Sequence, residues 1–159
     1  MGRYVNPGNK RFKINLNSKI YIDKSLIIKE LNELLGTDNR FICMSRARRF
    51  GKTMITNLMS AYYSKNCDSR DIFESLGLSE QEGWDKYLNS VNVIQIDLNG
   101  WYSKTKDKSQ TIDKLQTGVI DELRKEFPSI EIPADAVLAD AISIINEEIG
   151  ETFVIIIDE

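Results

Sequence analysis

Gly51, Lys52 and Thr53 follow one another where an apolar run, residues 41–44, gives way through a loop to a helical pattern. The segment FICMSRARRFGKTMITNL thus reads as apolar strand, Arg-rich loop, Gly-Lys-Thr, then helix, the context that a phosphate-binding P-loop needs. Backbone N–H groups of such a loop and of the first helical turn converge on an anion, helped by the helix dipole. Glycine at 51 lets the backbone approach with no Cβ in the way. Lys52 places a point charge between β- and γ-phosphates, and the Thr53 hydroxyl completes a Mg²⁺ shell. The full pattern G-x-x-x-x-G-K-[ST] asks for glycine at 46, where this chain carries Arg46. Arg46, Arg48, Arg49 and Lys52 concentrate positive charge on the loop, and some of these arginines are expected to reach phosphate. None is assigned as an arginine finger, which must stand opposite the γ-phosphate. Phe50 is expected to pack beneath the loop.

The second chemical signal lies about a hundred residues further on, where Phe153, Val154, Ile155, Ile156 and Ile157 lead into Asp158 and Glu159. This is a Walker-B-type strand end. A carboxylate there sits at the carboxyl edge of a parallel sheet, where Asp158 can hold Mg²⁺ through water. An adjacent Glu159 stands where ATPases of the additional-strand class keep the general base that polarises an attacking water.

The remaining composition narrows the chemistry. The 159 residues contain no histidine, which removes His-based acid–base catalysis, Ser-His-Asp and Cys-His nucleophiles, and His-ligated zinc. Cys43 and Cys67 are too few for a disulfide framework and read as reduced thiols, Cys43 as inert core. A net charge of −3 argues against nucleic-acid binding through the global field. No apolar run approaches the roughly 18–20 residues that span a bilayer, and the N-terminus has no apolar signal core, so a cytoplasmic protein is expected. With 42% hydrophobic residues, the chain has enough apolar content for one globular domain.

The elements that must position these residues follow from periodicity. Residues 1–20 read as an extended polar entry, with a turn at Pro7, Gly8 and Asn9. Asp23 or Ser25 can cap a helix running to about Leu35, which Gly36 stops as a left-handed residue. Residues 41–44 are expected as a strand buried on both faces. Helical spacing covers residues 51–63, and residues 64–90 read as short helices and loops anchored by Phe73 and Trp84. Residues 91–98 are a second strand. Helices are expected near 107–127 and 135–148, separated by Pro128 and Pro133, and 153–157 is the third strand. Alternating strands and helices predict an α/β fold whose parallel sheet carries helices on both faces.

Taken together, MGRYVNPGNKRFK, IYIDKSLIIKEL, RFICMSRARRFGKTM, AYYSKNCDS and FVIIIDE resemble the bacterial AAA-ATPase-like family. Its members carry a YVDKT-type box, an R-P-R-R-F-G-K-[ST] loop and an IIDE-type strand end, so Arg46 is the family's residue there. Ala47 replaces the usual proline, and Ser25 stands where threonine is commoner. The resemblance implies a P-loop NTPase fold of the additional-strand type, with residues 1–38 as entry segment and first helix and 39–159 as the Walker A to Walker B core. It implies ATP and Mg²⁺ as cofactors. The phosphate cradle would be Arg46, Ala47, Arg48, Arg49, Phe50, Gly51, Lys52 and Thr53. Thr53 and Asp158 would hold the metal, and Lys52 and Glu159 would serve catalysis. The implied activity is ATP hydrolysis that drives or gates an attached domain; the alternative is a nucleotide-sensing module with negligible hydrolysis. Tyr21 or Ile22 would lie near adenine, or simply form a capped junction. Asn99, near Asp97 at the end of the second strand, would hold Glu159 or be a turn residue. Members usually continue into a nuclease-superfamily domain, so the chain reads as truncated after the Walker B strand and catalytically incomplete on its own. Nucleic acid would be contacted only through that continuation, and homo-oligomers are compatible with the resemblance.

Overall fold

Residues 91–98 alternate too little to have a solvent face, and the strand they form is correspondingly buried from Asn92 to Ile96. The computed structural model describes residues 2–45, 47, 50–104 and 107–158. In chain order its elements are α1 (Lys10–Leu16), α2 (Ile27–Leu34), α3 (Lys52–Tyr63), α4 (Arg70–Glu74), β1 (Asn92–Asp97), α5 (Leu98–Lys104), α6 (Thr111–Glu126), α7 (Leu138–Ile149) and β2 (Phe153–Asp158). Short 3₁₀ turns occupy Gly77–Glu80 and Lys108–Gln110. The chain divides into two compact units, Met1–Pro7 with Val91–Glu159, and Gly8–Ser90.

In the first unit β1 and β2 pair in parallel, in a register running from Asn92 opposite Phe153 to Asp97 opposite Asp158. The expected parallel pairing is therefore present, in a chain of α/β class. Helix α6 brings Leu115, Val119 and Leu123 to the core at four-residue intervals, and α7 adds Ala141 and Ile145. Of the two strands only β1 is buried on both faces. In β2 Ile156 is buried, but Ile157 is 60% exposed and Ile155 is likewise open to solvent.

The other edge of β1 is paired too. Asn6 donates its backbone N–H to Val93 O at 2.8 Å, and Gln95 donates to Tyr4 O at 2.9 Å, forming an antiparallel bridge between Val5 and Ile94. Glu122 on α6 fixes this segment. Its carboxylate accepts from the backbone N–H groups of Arg3, Tyr4 and Val5 at 2.8–2.9 Å. Three charge-assisted bonds on one carboxylate outweigh the cost of ordering a terminal segment. Glu122→Ala should therefore release it, accelerating amide exchange at residues 4–6 by about 30-fold, or roughly 2 kcal/mol of local stability. Exchange rates unchanged from wild type at those amides would show that the β1 edge alone holds the segment.

The second unit is helical among its described residues. Phe12 on α1 is fully buried, stacked on Phe73 at 5.8 Å and edge-on to Tyr21 at 6.1 Å. Tyr62 completes the core in edge-to-face contacts with Tyr63 and Phe73, and Leu58 and Ile28 are buried as well. Three sequence expectations are corrected here. Residues 10–16 form a helix, not an extended entry, because Phe12 supplies a single apolar anchor that periodicity alone does not register. Asp23 and Ser25 do not cap α2, whose start has no side-chain cap bond. Residues 41–44 are not a strand: Phe41 is 84% exposed and Cys43 is exposed rather than core. A strand needs a neighbour for its N–H and C=O groups, and four apolar residues among helices find none. Gly36 does take the expected left-handed conformation, at φ 74°. No helix among the described residues is long and apolar enough to cross a membrane.

Candidate functional site

Gly51 stands immediately before α3 at φ 79° and ψ 29°, a left-handed conformation that a residue with a Cβ adopts only under strain. Its carbonyl oxygen accepts the first helical bond, from Ile55 N at 3.1 Å. The chain therefore turns sharply at 51, and the first turn of α3 begins at once with Lys52 and Thr53. No acidic residue lies in that turn to compete for an anion. Thr53 is exposed and Lys52 half-buried. Phe50 is 61% exposed, so it does not pack beneath the loop as expected; its N–H instead closes a turn onto Ala47 O at 3.4 Å. Arg46, Arg48 and Arg49 lie outside the described residues.

The box preceding α2 is tied down on both sides. Asp23 accepts from Ser25 N and from Gly77 N, each at 2.8 Å, and the fully buried Ser25 Oγ accepts from Leu78 N at 3.1 Å. These side chains cap the Gly77–Glu80 turn, the service that the sequence assigned to α2. Between them, Lys24 donates from Nζ to Phe50 O at 2.9 Å. Sequence reasoning passed over this lysine; its place within the family-like box was the available signal. Tyr21, Ile22 and Lys24 line a cleft with Met54, Ile55 and Leu58 of α3. Burial, with Asp23 nearby, pushes the Tyr21 phenol up to about 12.

In the other unit, Asp158 ends β2 and is half-exposed, with Asp97 its register partner at the carboxyl edge. Asp97 accepts from Gly100 N at 2.7 Å and so caps α5, a helix that periodicity did not reveal. Asn99 sits in the first turn of α5, where its carbonyl accepts from Ser103 Oγ at 2.8 Å. Glu159 lies outside the described residues, and with it the expected Asn99–Glu159 contact.

A turn with a left-handed glycine, helix amides, a lysine and an exposed hydroxyl fits a phosphate ester with its cation. The donors are hard and hydrogen-bonding, and the helix dipole favours the anion. Comparison with known proteins agrees in direction. A family model described as a predicted AAA-ATPase matches residues 8–159. No curated protein and no solved structure matches the chain.

Proposed function

This chain belongs to that family of predicted AAA-ATPases, and from this membership we propose that it binds ATP and hydrolyses it with Mg²⁺ in the cytoplasm, the cycle driving or gating an attached domain. The observation that carries the reading is Gly51, left-handed at φ 79° and followed directly by the α3 residues Lys52 and Thr53. In this proposal the cradle is Arg46, Ala47, Arg48, Arg49, Phe50, Gly51, Lys52 and Thr53. Loop amides bind the phosphate oxygens, and Lys52 neutralises charge between the β- and γ-phosphates. The candidates for Mg²⁺ carried over from the sequence are Thr53 and, through water, Asp158. That ion, when bound, neutralises charge that develops on the phosphates. Glu159 withdraws a proton from the attacking water. Tyr21 or Ile22 is proposed to face the adenine, which is consistent with their shared cleft against α3.

The test is Lys52→Ala. Loop amides remain in the variant, but the one point charge assigned to both terminal phosphates is gone. ATP affinity should fall by about tenfold or more, at about 1.4 kcal/mol per decade. Isothermal titration of the full-length protein with Mg-ATP measures it, and equal affinity in wild type and variant would remove this loop from consideration.

A further inference from the structure

The Phe50–Gly51 peptide has its two polar groups on opposite sides, because a trans peptide holds C=O and N–H antiparallel. Whatever fixes the direction of the Phe50 carbonyl therefore fixes the opposite direction for the Gly51 N–H. Lys24 Nζ donates to that carbonyl at 2.9 Å. The same ammonium lies 3.0 Å from where a Cβ on residue 51 would be, so it rests against the glycine itself.

We propose that Lys24 is a positioning residue of the phosphate loop: by holding the Phe50 carbonyl it aims the Gly51 N–H at a nucleotide phosphate. The proposal rests on the reading of this loop as an ATP site and adds a residue 26 positions upstream to it. Three features support the role. The lysine leaves the chain between two anchored neighbours, Asp23 bonded to Gly77 N and Ser25 to Leu78 N, so its backbone is fixed before any ligand arrives. Its charge withdraws electron density through the Phe50 carbonyl and strengthens the opposite N–H as a donor, as in any polarised hydrogen-bond chain. And residue 51 pairs a left-handed backbone, which favours glycine, with an ammonium lying close beside it. A backbone donor that is already aimed needs no reorganisation when phosphate binds.

The experiment compares wild type, Lys24→Met, Lys24→Arg and Lys52→Ala of the full-length protein by titration with Mg-ATP and Mg-ADP, with thermal midpoints recorded for each. Lys24→Met removes donor and charge but keeps the aliphatic stem in the cleft. It should weaken both nucleotides about tenfold with an unchanged midpoint, while Lys24→Arg, which keeps donor and charge, should stay within about threefold of wild type. Lys24→Met binding as tightly as wild type, beside a weakened Lys52→Ala, would overturn the role of Lys24 and leave the loop reading standing. Equal weakening in Lys24→Met and Lys24→Arg would also overturn it, since packing would then explain the loss. If Lys52→Ala binds like wild type, the loop reading falls, and the role of Lys24 falls with it.

Discussion

Glu159→Gln in the full-length protein is expected to bind ATP as tightly as wild type, within about twofold, yet to turn it over on the order of 10²–10³-fold more slowly. Glutamine keeps the size of the side chain and one oxygen acceptor, so ground-state binding has little reason to change. It cannot take the proton that an attacking water must lose, so the deficit falls on the chemical step. Nucleotide titration and phosphate release under single-turnover conditions separate the two quantities. Equal turnover in the variant would show that the base lies elsewhere. Tight binding by wild type with hydrolysis at the solution background would favour a nucleotide-sensing module.

The largest effect on stability is expected at Asn89. Its Nδ2 lies 3.0–3.3 Å from the carbonyl oxygens of Ala61, Tyr62 and Ser64 and 3.0 Å from Cys67 Sγ. Its Oδ1 accepts from Ser69 N at 2.8 Å, and its own N–H reaches Tyr62 O at 2.7 Å. The two N–H donors of this amide are thus shared among the carbonyls clustered at the end of α3, which have no partner within the helix. It does so from a left-handed backbone at φ 50°, which asparagine tolerates and alanine does not. Asn89→Ala should cost about 2–4 kcal/mol, partly orphaned carbonyls and partly backbone strain, and lower the midpoint by roughly 5–15 °C. Asn89→Gly removes the strain but not the orphaned groups, so it should fall between the two. Chemical denaturation of the three proteins measures this. A loss below about 0.5 kcal/mol in Asn89→Ala would mean that water caps the helix as well as the amide does.

What the sequence disclosed and what it concealed divide along physical lines. Strand β2 and helix α3 were legible because their patterns are long and unmixed: five consecutive apolar residues from Phe153, and buried positions such as Ile55, Leu58 and Tyr62 at helical intervals. The parallel pairing followed from strands separated by helices. Residues 41–44 have the same apolar composition as a buried strand, and composition carries no information on whether a partner edge is within reach. Helix α1 escaped because Phe12 alone anchors it, and a single residue has no period. In the candidate site, Gly51, Lys52 and Thr53 were legible as a local string. Lys24 was not, because its bond to Phe50 is a tertiary contact between segments whose spacing obeys no pattern. Asp23 and Ser25 were read as helix caps for the same reason: the right donors and acceptors, credited to the nearest helix rather than to the Gly77–Glu80 turn that uses them.

The last turn of α3 also bears on the order in which the chain folds. Gly8 is bonded there on both sides, its N–H to Ser64 Oγ and its carbonyl to Ser60 Oγ, and Asn89 grips the same turn through its amide. The two ends of the helical unit are thereby gathered at one place before β1 begins. The next link outward, Asn6 Nδ2 to Asn92 Oδ1, closes a loop of 86 residues. From an unfolded chain that closure costs about 2 kcal/mol of entropy beyond that of a ten-residue loop. Once Gly8–Ser90 has folded, the gap left to close is only a few residues on either side. The helical unit is continuous and leaves the ribosome before β1, so its folding converts a pairing between distant parts of the sequence, residues 4–6 against β1, into a nearly local one. Mutations that loosen the α3 end should then slow assembly of the sheet without touching a residue in it.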